Sequence, residues 1–223
     1  MTSNVQLIGV TSPRIAGLYG PEDLVAYAAR VSNPANQNNT ETAPKLLQYL
    51  VNNKHWSPFE MVSVLMEITT TRDIARQILR HRSFSFQEFS QRYADPTQLD
   101  FQTREARLQD KKNRQNSISI DDLELQQGWT LLQQSLIKYA KEAYDWAITQ
   151  GIAKEQARAV LPEGLTTSRM YMHGTLRSWI HYIQLRTDVA TQLEHREIAQ
   201  ECKRVLMIEF PSLTNIFNNE TTQ

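Results

Sequence analysis

A single cysteine, Cys202, in a chain of 223 residues cannot form an intrachain disulfide or a thiolate metal cluster. Glycine is scarce too: seven residues, about 3% of the chain against the usual ~7%. No G-x-G and no G-x-x-x-x-G-K-[ST] string occurs, which excludes a Rossmann or P-loop phosphate cradle. The longest apolar run, at 24–29, has six residues, whereas a bilayer span needs about twenty, so no membrane partner is expected. Net charge is absent as well. With 24 Lys+Arg against 24 Asp+Glu, bulk electrostatic capture of nucleic acid is not expected. The opening MTSNVQLIGV lacks the features of an export signal, and a reducing, cytoplasmic location is the expectation.

What is present is a chain long enough for one sizeable core, 40% hydrophobic and 22% charged, hence not disordered. Its basic residues divide into 16 Arg and 8 Lys, a bias toward the planar fork that grips phosphates and carboxylates. Hydrophobic periodicity predicts a strand at 5–10 and proline-opened helices at 21–31 and 44–51. A strand is expected at 61–71, where Met61, Ser63, Leu65 and Glu67 alternate with Val62, Val64, Met66 and Ile68. Helical spacing returns at 73–80, with Arg72, Arg76 and Arg80 stepping by four. The polar stretch 95–121 has no sustained period and reads as a long mobile loop. The longest helix is expected at 122–150, stopped by Gly151. A short helix at 153–160, a strand at 166–172 and helices at 176–185 and 191–210 follow. The fold class expected is α+β: a single domain over 1–223, with a mostly antiparallel sheet packed against several helices.

Chemistry concentrates in RDIARQILRHRSFSFQEFSQRY at 72–93, which holds five arginines and His81 offset only by Asp73 and Glu88. A solvated helix face is the bland reading. If the chain after Arg82 is extended, however, Glu88, Ser90 and Arg92 project on one side and Phe89 and Tyr93 on the other. Such a row suits a ligand with an anionic group at one end and a hydrogen-bonding ring at the other.

Arg80, His81 and Arg82, then seven residues, then Ser90, resembles the signature of the flavin-dependent thymidylate synthases. AARVS at 28–32, HWSPFE at 55–60, NRQNS at 113–117, ARAVLP at 157–162, LRSW at 176–179 and LRT with a later QLEH at 185–195 look like further blocks of that family in its order. The resemblance implies an FAD-dependent methyltransferase in nucleotide biosynthesis. The C5 carbon of dUMP would receive a one-carbon unit from methylenetetrahydrofolate, NADPH would reduce the FAD, and the product would be dTMP. It also implies a homotetramer in which neighbouring chains complete each other's sites, Arg80 and Arg186 being the arginines expected to meet there.

Carried over position by position, the resemblance implies dUMP contacts from Gln77, Arg80, Glu88, Ser90, Gln91, Arg92, Arg158 and Arg186, with Arg80, Ser90 and Arg186 nearest the chemistry. It implies flavin or folate contacts from Ser32, His55, Ser57, Glu60, Arg80, His81, Arg82, Glu88, Arg177 and His181, and no metal. His81, between two arginines, should have its charged form disfavoured. Two positions depart from the family pattern. Gln87 stands where Asn is frequent, and Ala190 where many members carry a flavin-contacting histidine that His181 or His195 could replace. The rival class of thymidylate synthase uses a cysteine nucleophile, but Cys202 lies mid-helix among Ile198, Val205 and Leu206 and reads as a packing residue. An arginine-rich nucleic-acid-binding module and an inactive paralogue are the competing readings.

Overall fold

Strict alternation decides the sheet. In β2 (Ser63–Thr71) Val64, Met66, Ile68 and Thr70 are buried while Ser63, Leu65, Glu67 and Thr69 face the other side. In the computed structural model, which describes residues 4–214 and Phe217, the elements before it are β1 (Asn4–Val10), α1 (Pro21–Ala29) and α2 (Ala43–Asn52). After it come α3 (Arg72–Ile78), β3 (Ser85–Glu88), β4 (Arg107–Gln109), β5 (Ser117–Ser119), α4 (Leu123–Thr149) and α5 (Lys154–Ala157). β6 (Thr167–Thr175), α6 (Leu176–Arg186) and α7 (Leu193–Glu209) complete the order. The main sheet runs β1-β2-β6-β3 with every pairing antiparallel, and β4 with β5 forms a separate hairpin. The α+β expectation is borne out.

The two central strands set the position of the site. β2 and β6 pair from Ser63↔Thr175 to Thr71↔Thr167, so α3 leaves one end of this ladder and α6 leaves the other. Thr71 and Thr175 are the residues just before them, and Thr175 Oγ1 accepts from the Ser178 N–H at 3.3 Å. The helices bury Ile74, Ala75 and Ile78, and Trp179, Ile180, Tyr182 and Ile183, against Met66, Ile68, Met170 and Met172. Inside that core the Trp179 indole N–H donates to the Val64 carbonyl at 3.1 Å. The basic string of 80–82 begins just after α3, and its His81 meets Arg186 at the C-terminal end of α6. Phe84 fastens the turn after it by lying on Gly174. A Cβ at 174 would stand 2.5 Å from the Phe84 ring, so the close packing needs glycine there.

Two expectations are corrected. The segment 95–121 is built in rather than loose. Phe101 bridges Thr166, the Gln102 N–H donates to the Leu165 carbonyl at 2.9 Å, and Gln133 and Gln126 of α4 satisfy the backbone at Arg104 and Ala106. Three-residue strands and glutamine side chains acting as ladder partners leave no hydrophobic period to detect. The second correction concerns 82–93. β3 stops at Glu88, and Ser90 opens a turn whose carbonyl accepts from the Tyr93 and Ala94 N–H groups at 3.2 and 3.1 Å. Glu88, Ser90 and Arg92 therefore do not form one extended row. Smaller boundary shifts have local causes: 57–61 is a 3-10 turn opened by Pro58, so β2 begins at Ser63 rather than 61.

Candidate active site

Arginines spaced by four on α3 put one cationic stripe on one helix face. Arg72 and Arg76 of that stripe, with Gln91 and Arg158, line a cavity of about 410 Å³ that Glu155 and Glu163 partly neutralise. Arg76 pairs with Glu163, and Arg92 reaches Glu155 at 3.4 Å. Arg158 lies on the 3-10 turn after α5 and, among the described residues, donates only to the Glu155 backbone carbonyl, at 3.4 Å. Glu88 accepts from the Ser168 hydroxyl at 2.7 Å and from Arg72 at 3.4 Å. Three guanidinia around one opening and two carboxylates at its rim form a receptacle for a phosphate or a comparable anion. Arg158 and Gln91, both expected at the nucleotide, come together in this cavity. Arg72 and Arg76 line it as well and were not among the expected contacts, although their i, i+4 step toward Arg80 was a signal.

The second cluster lies where the residues after α3 meet the C-terminal end of α6. Arg186 Nε donates to His81 Nε2 at 2.9 Å, and the His81 ring stands edge-on to Tyr182 at 4.9 Å. Burial, aided by the Arg186 charge, pulls the His81 pKa down to about 4. His81 is therefore a neutral imidazole at pH 7. The sequence expectation is right in direction, but the responsible arginine is Arg186, not the flanking pair. Arg80 and Arg82 are exposed and carry no ion pair among the described residues. Gln77 lies one turn before Arg80. The cavity lining does not include Arg80, Ser90 or Arg186. The Ser90 hydroxyl accepts from the Arg92 N–H at 3.3 Å, and among the described residues no side-chain base is hydrogen-bonded to it.

A third group assembles where the 3-10 turn at 57–61 meets α6. Arg177 pairs with Glu60, and His181 stands edge-on to Trp56 at 4.7 Å. Ser57 is exposed on the same turn and His55 is exposed just before it, leaning on Tyr49. Ser32 is exposed after α1, apart from this group. Two imidazoles, an exposed hydroxyl and the Arg177 guanidinium fit an isoalloxazine ring and a pyrophosphate, so this donor set is compatible with a flavin nucleotide. His195, by contrast, is 0% exposed, locked between Tyr182 and Gln77, and is not available to replace the histidine missing at Ala190. Cys202 is fully buried, which pushes its thiol up and leaves it inert.

Residues 15–212 match the family model described as thymidylate synthase complementing protein. A probable flavin-dependent thymidylate synthase of Paramecium bursaria Chlorella virus 1 is 49% identical over 210 residues, 94% of this chain and 96% of that protein. The flavin-dependent thymidylate synthase of Synechocystis sp. is 48% identical over 213 residues, 94% of this chain and 97% of that one. The chain belongs to the flavin-dependent thymidylate synthase family. A solved structure shares the fold of this chain. A UMP/dUMP methylase, PolB from Streptomyces cacaoi, crystallised with 5-Br dUMP, shares 24% identity, and the match covers 96% of this chain and 95% of that one at a TM-score of 0.77. That likeness is one of fold.

For this flavin-dependent thymidylate synthase family member, the buried imidazoles make stability sensitive to acid. His195 faces Tyr182, Gln77, His81 and Arg186; burial first, then the Arg186 charge, lowers its pKa to about 3 from an ordinary 6.5. Between those values the unfolded chain takes up a proton that the folded one refuses, so stability is complete above pH 6.5 and declines as pH falls toward 3. By pH 4.5 the loss from His195 alone is expected to reach about 2–3 kcal/mol. Urea unfolding at pH 7, 5.5 and 4.5 checks it. His195→Gln should flatten the dependence, and an unchanged slope in that variant would contradict the assignment.

Proposed function

We propose that this chain is a single catalytic domain over 1–223 that converts dUMP to dTMP. Methylenetetrahydrofolate is the one-carbon donor, FAD the cofactor and NADPH the reductant. The observation that carries this reading is the cavity lined by Arg72, Arg76 and Arg158, with Arg80 four residues beyond Arg76 in the chain. The nucleotide phosphate is held there by Arg158 and Arg92, with Ser90 and Gln91 at the turn that follows β3. Gln77 and Glu88 face the uracil edge and deoxyribose, and Arg80 and Arg186 bear on the negative charge that grows on the ring as C5 becomes nucleophilic. Ser90 is a ligand rather than a nucleophile, in line with its lack of a base.

His55, Ser57, Glu60, Arg177, His181, Arg82 and His81, with Ser32 at the margin, hold the flavin and the folate against that nucleotide. When bound, reduced FAD supplies the hydride that turns the transferred carbon into a methyl group. His81, kept neutral, offers the flavin an uncharged ring face, and Arg186 fixes its tautomer by donating to Nε2. The partners of this reading are dUMP, folate and NADPH, with neither nucleic acid nor membrane, in the cytoplasm. Among the described residues no helix is long and apolar enough to cross a bilayer.

A homotetramer with shared sites belongs to the same proposal. α4 leaves Leu125, Trp129, Leu132, Leu136, Tyr139 and Trp146 exposed, at spacings of four and three, which is the seam of a helix that packs on another helix. The test of the function is direct. Protein incubated with FAD and gel-filtered should emerge yellow, and with methylenetetrahydrofolate and NADPH it should form dTMP from dUMP. Failure to retain flavin would overturn the cofactor assignment. Flavin retention without dTMP would overturn the reaction.

A further inference from the structure

We infer that Glu194 and Gln192 are positioning residues that fix which end of the Gln77 side-chain amide faces the nucleotide. The inference rests on the proposal that Gln77 contacts dUMP. Glu194 is a carboxylate at 0% exposure, and a buried charge persists only when paired. Arg107 of β4 pairs with its Oε1, and the Gln192 Nε2 donates to its Oε2 at 2.8 Å. Although burial pushes this carboxyl up, its own backbone N–H, Gln192, Arg107 and Arg104 together hold it below the usual carboxylate range. It is ionised, and an ionised carboxylate only accepts.

That one-way property propagates. Because Gln192 must turn its NH₂ toward Glu194, its carbonyl turns toward Gln77 and accepts from the Gln77 Nε2 at 2.8 Å. The Gln77 carbonyl is thereby aimed at His195 Nδ1, 3.3 Å away. His195 is neutral, so with the proton on Nδ1 it donates to Gln77 while Nε2 accepts the Tyr182 hydroxyl at 3.2 Å. Every link from Tyr182 to Arg107 then has a single satisfied direction. An amide has nearly the same shape either way round, and without this chain nothing would choose between its two orientations.

Gln77 spends one N–H on Gln192 and is half-buried on α3, so a second N–H is left for a ligand. A uracil ring presents carbonyl oxygens, which accept. The fixed amide meets them with hydrogen, whereas a reversed amide would set oxygen against oxygen. The hairpin carrying Arg107 is in this way tied to base recognition, although it lines no part of the arginine cavity.

The experiment is a double-mutant cycle on the FAD-loaded protein, with calorimetric titration of dUMP and, separately, of 2-deoxyribose 5-phosphate, which lacks the base. Gln77→Ala and Gln192→Ala are each expected to weaken dUMP about tenfold, the worth of one hydrogen bond to the base, and the double variant by no more than about tenfold. Neither should alter binding of 2-deoxyribose 5-phosphate. Glu194→Gln, which keeps the shape but lets the chain run either way, should also weaken dUMP alone. Roughly hundredfold loss in the double variant would mean that the two residues act independently and would overturn the inference. So would equal losses for both probes, or a Gln192→Ala variant that binds dUMP like the parent while Gln77→Ala does not. If Gln77→Ala itself binds dUMP normally, the nucleotide role of Gln77 is what fails.

Discussion

Glutamate at Trp129 and Leu132 together is expected to break the proposed assembly into smaller species and to lower turnover by at least about a hundredfold, with helix content retained. Both side chains are exposed on α4 within the four-and-three stripe, while the residues this helix buries in its own chain are Gln133, Ala140, Tyr144 and Ala147. Full burial of each large apolar side chain against a neighbouring copy is worth about 1.5–3 kcal/mol, and a charge in its place must also be desolvated. Across a two-fold axis each substitution acts twice, which multiplies the loss. Sedimentation equilibrium gives the mass, circular dichroism the helix content, and dTMP formation the activity. A double variant with the parental mass and turnover would show that this stripe is not an interface.

The same helix shows where reading a sequence for period reaches its limit. Its existence and its stop at Gly151, which adopts φ 79°, were legible from composition and spacing. Which face goes inward was not. Leu123, Leu125, Trp129, Leu132 and Leu136 follow a helical repeat as well as Ala140 and Tyr144 do, yet only the latter pair is buried within the chain. An apolar stripe covered by a second copy obeys the same spacing as one covered by the chain's own core.

The site divides along a similar line. Ion-pair partners such as Glu60 with Arg177, or Glu155 with Arg92, lie far apart in sequence, so spacing could not join them. Residues 80–82 stood out because a cluster of arginines in a neutral chain is a local choice, whereas the lone Arg158 was marked only by the family block around it. Glu194 and Gln192 were invisible as more than part of a block, since a buried carboxylate in an amphipathic helix looks like a surface one until Arg107 arrives from the hairpin. The hairpin itself was read as loop because its strands are three residues each, and the backbone leading into it, at Arg104 and Ala106, is held by Gln133 and Gln126 side chains.

Arg158→Ala and Arg186→Ala are each expected to be nearly inactive alone and to regain activity when reassembled together. Loss of a charge-assisted contact to the nucleotide costs about 1.5–3 kcal/mol, enough to silence either variant at modest dUMP. Within one chain the two arginines serve different places. Arg158 lines the cavity with Arg72 and Arg76, whereas Arg186 is absent from that lining and commits its Nε to His81 at 2.9 Å. A site that uses both is completed if the Arg186 of one chain reaches the cavity of a neighbour. Mixed assemblies then contain some sites with both arginines intact and others with neither. The measurement is to dissociate the two variants together, reassemble them, confirm mixed particles by differential tagging, and compare dTMP formation with each variant treated alone. Arg80→Ala in place of Arg158→Ala puts the same question to the pair that the family resemblance singles out. If mixing restores nothing in confirmed mixed particles, Arg186 serves the site of its own chain, and the shared-site part of the proposal is wrong.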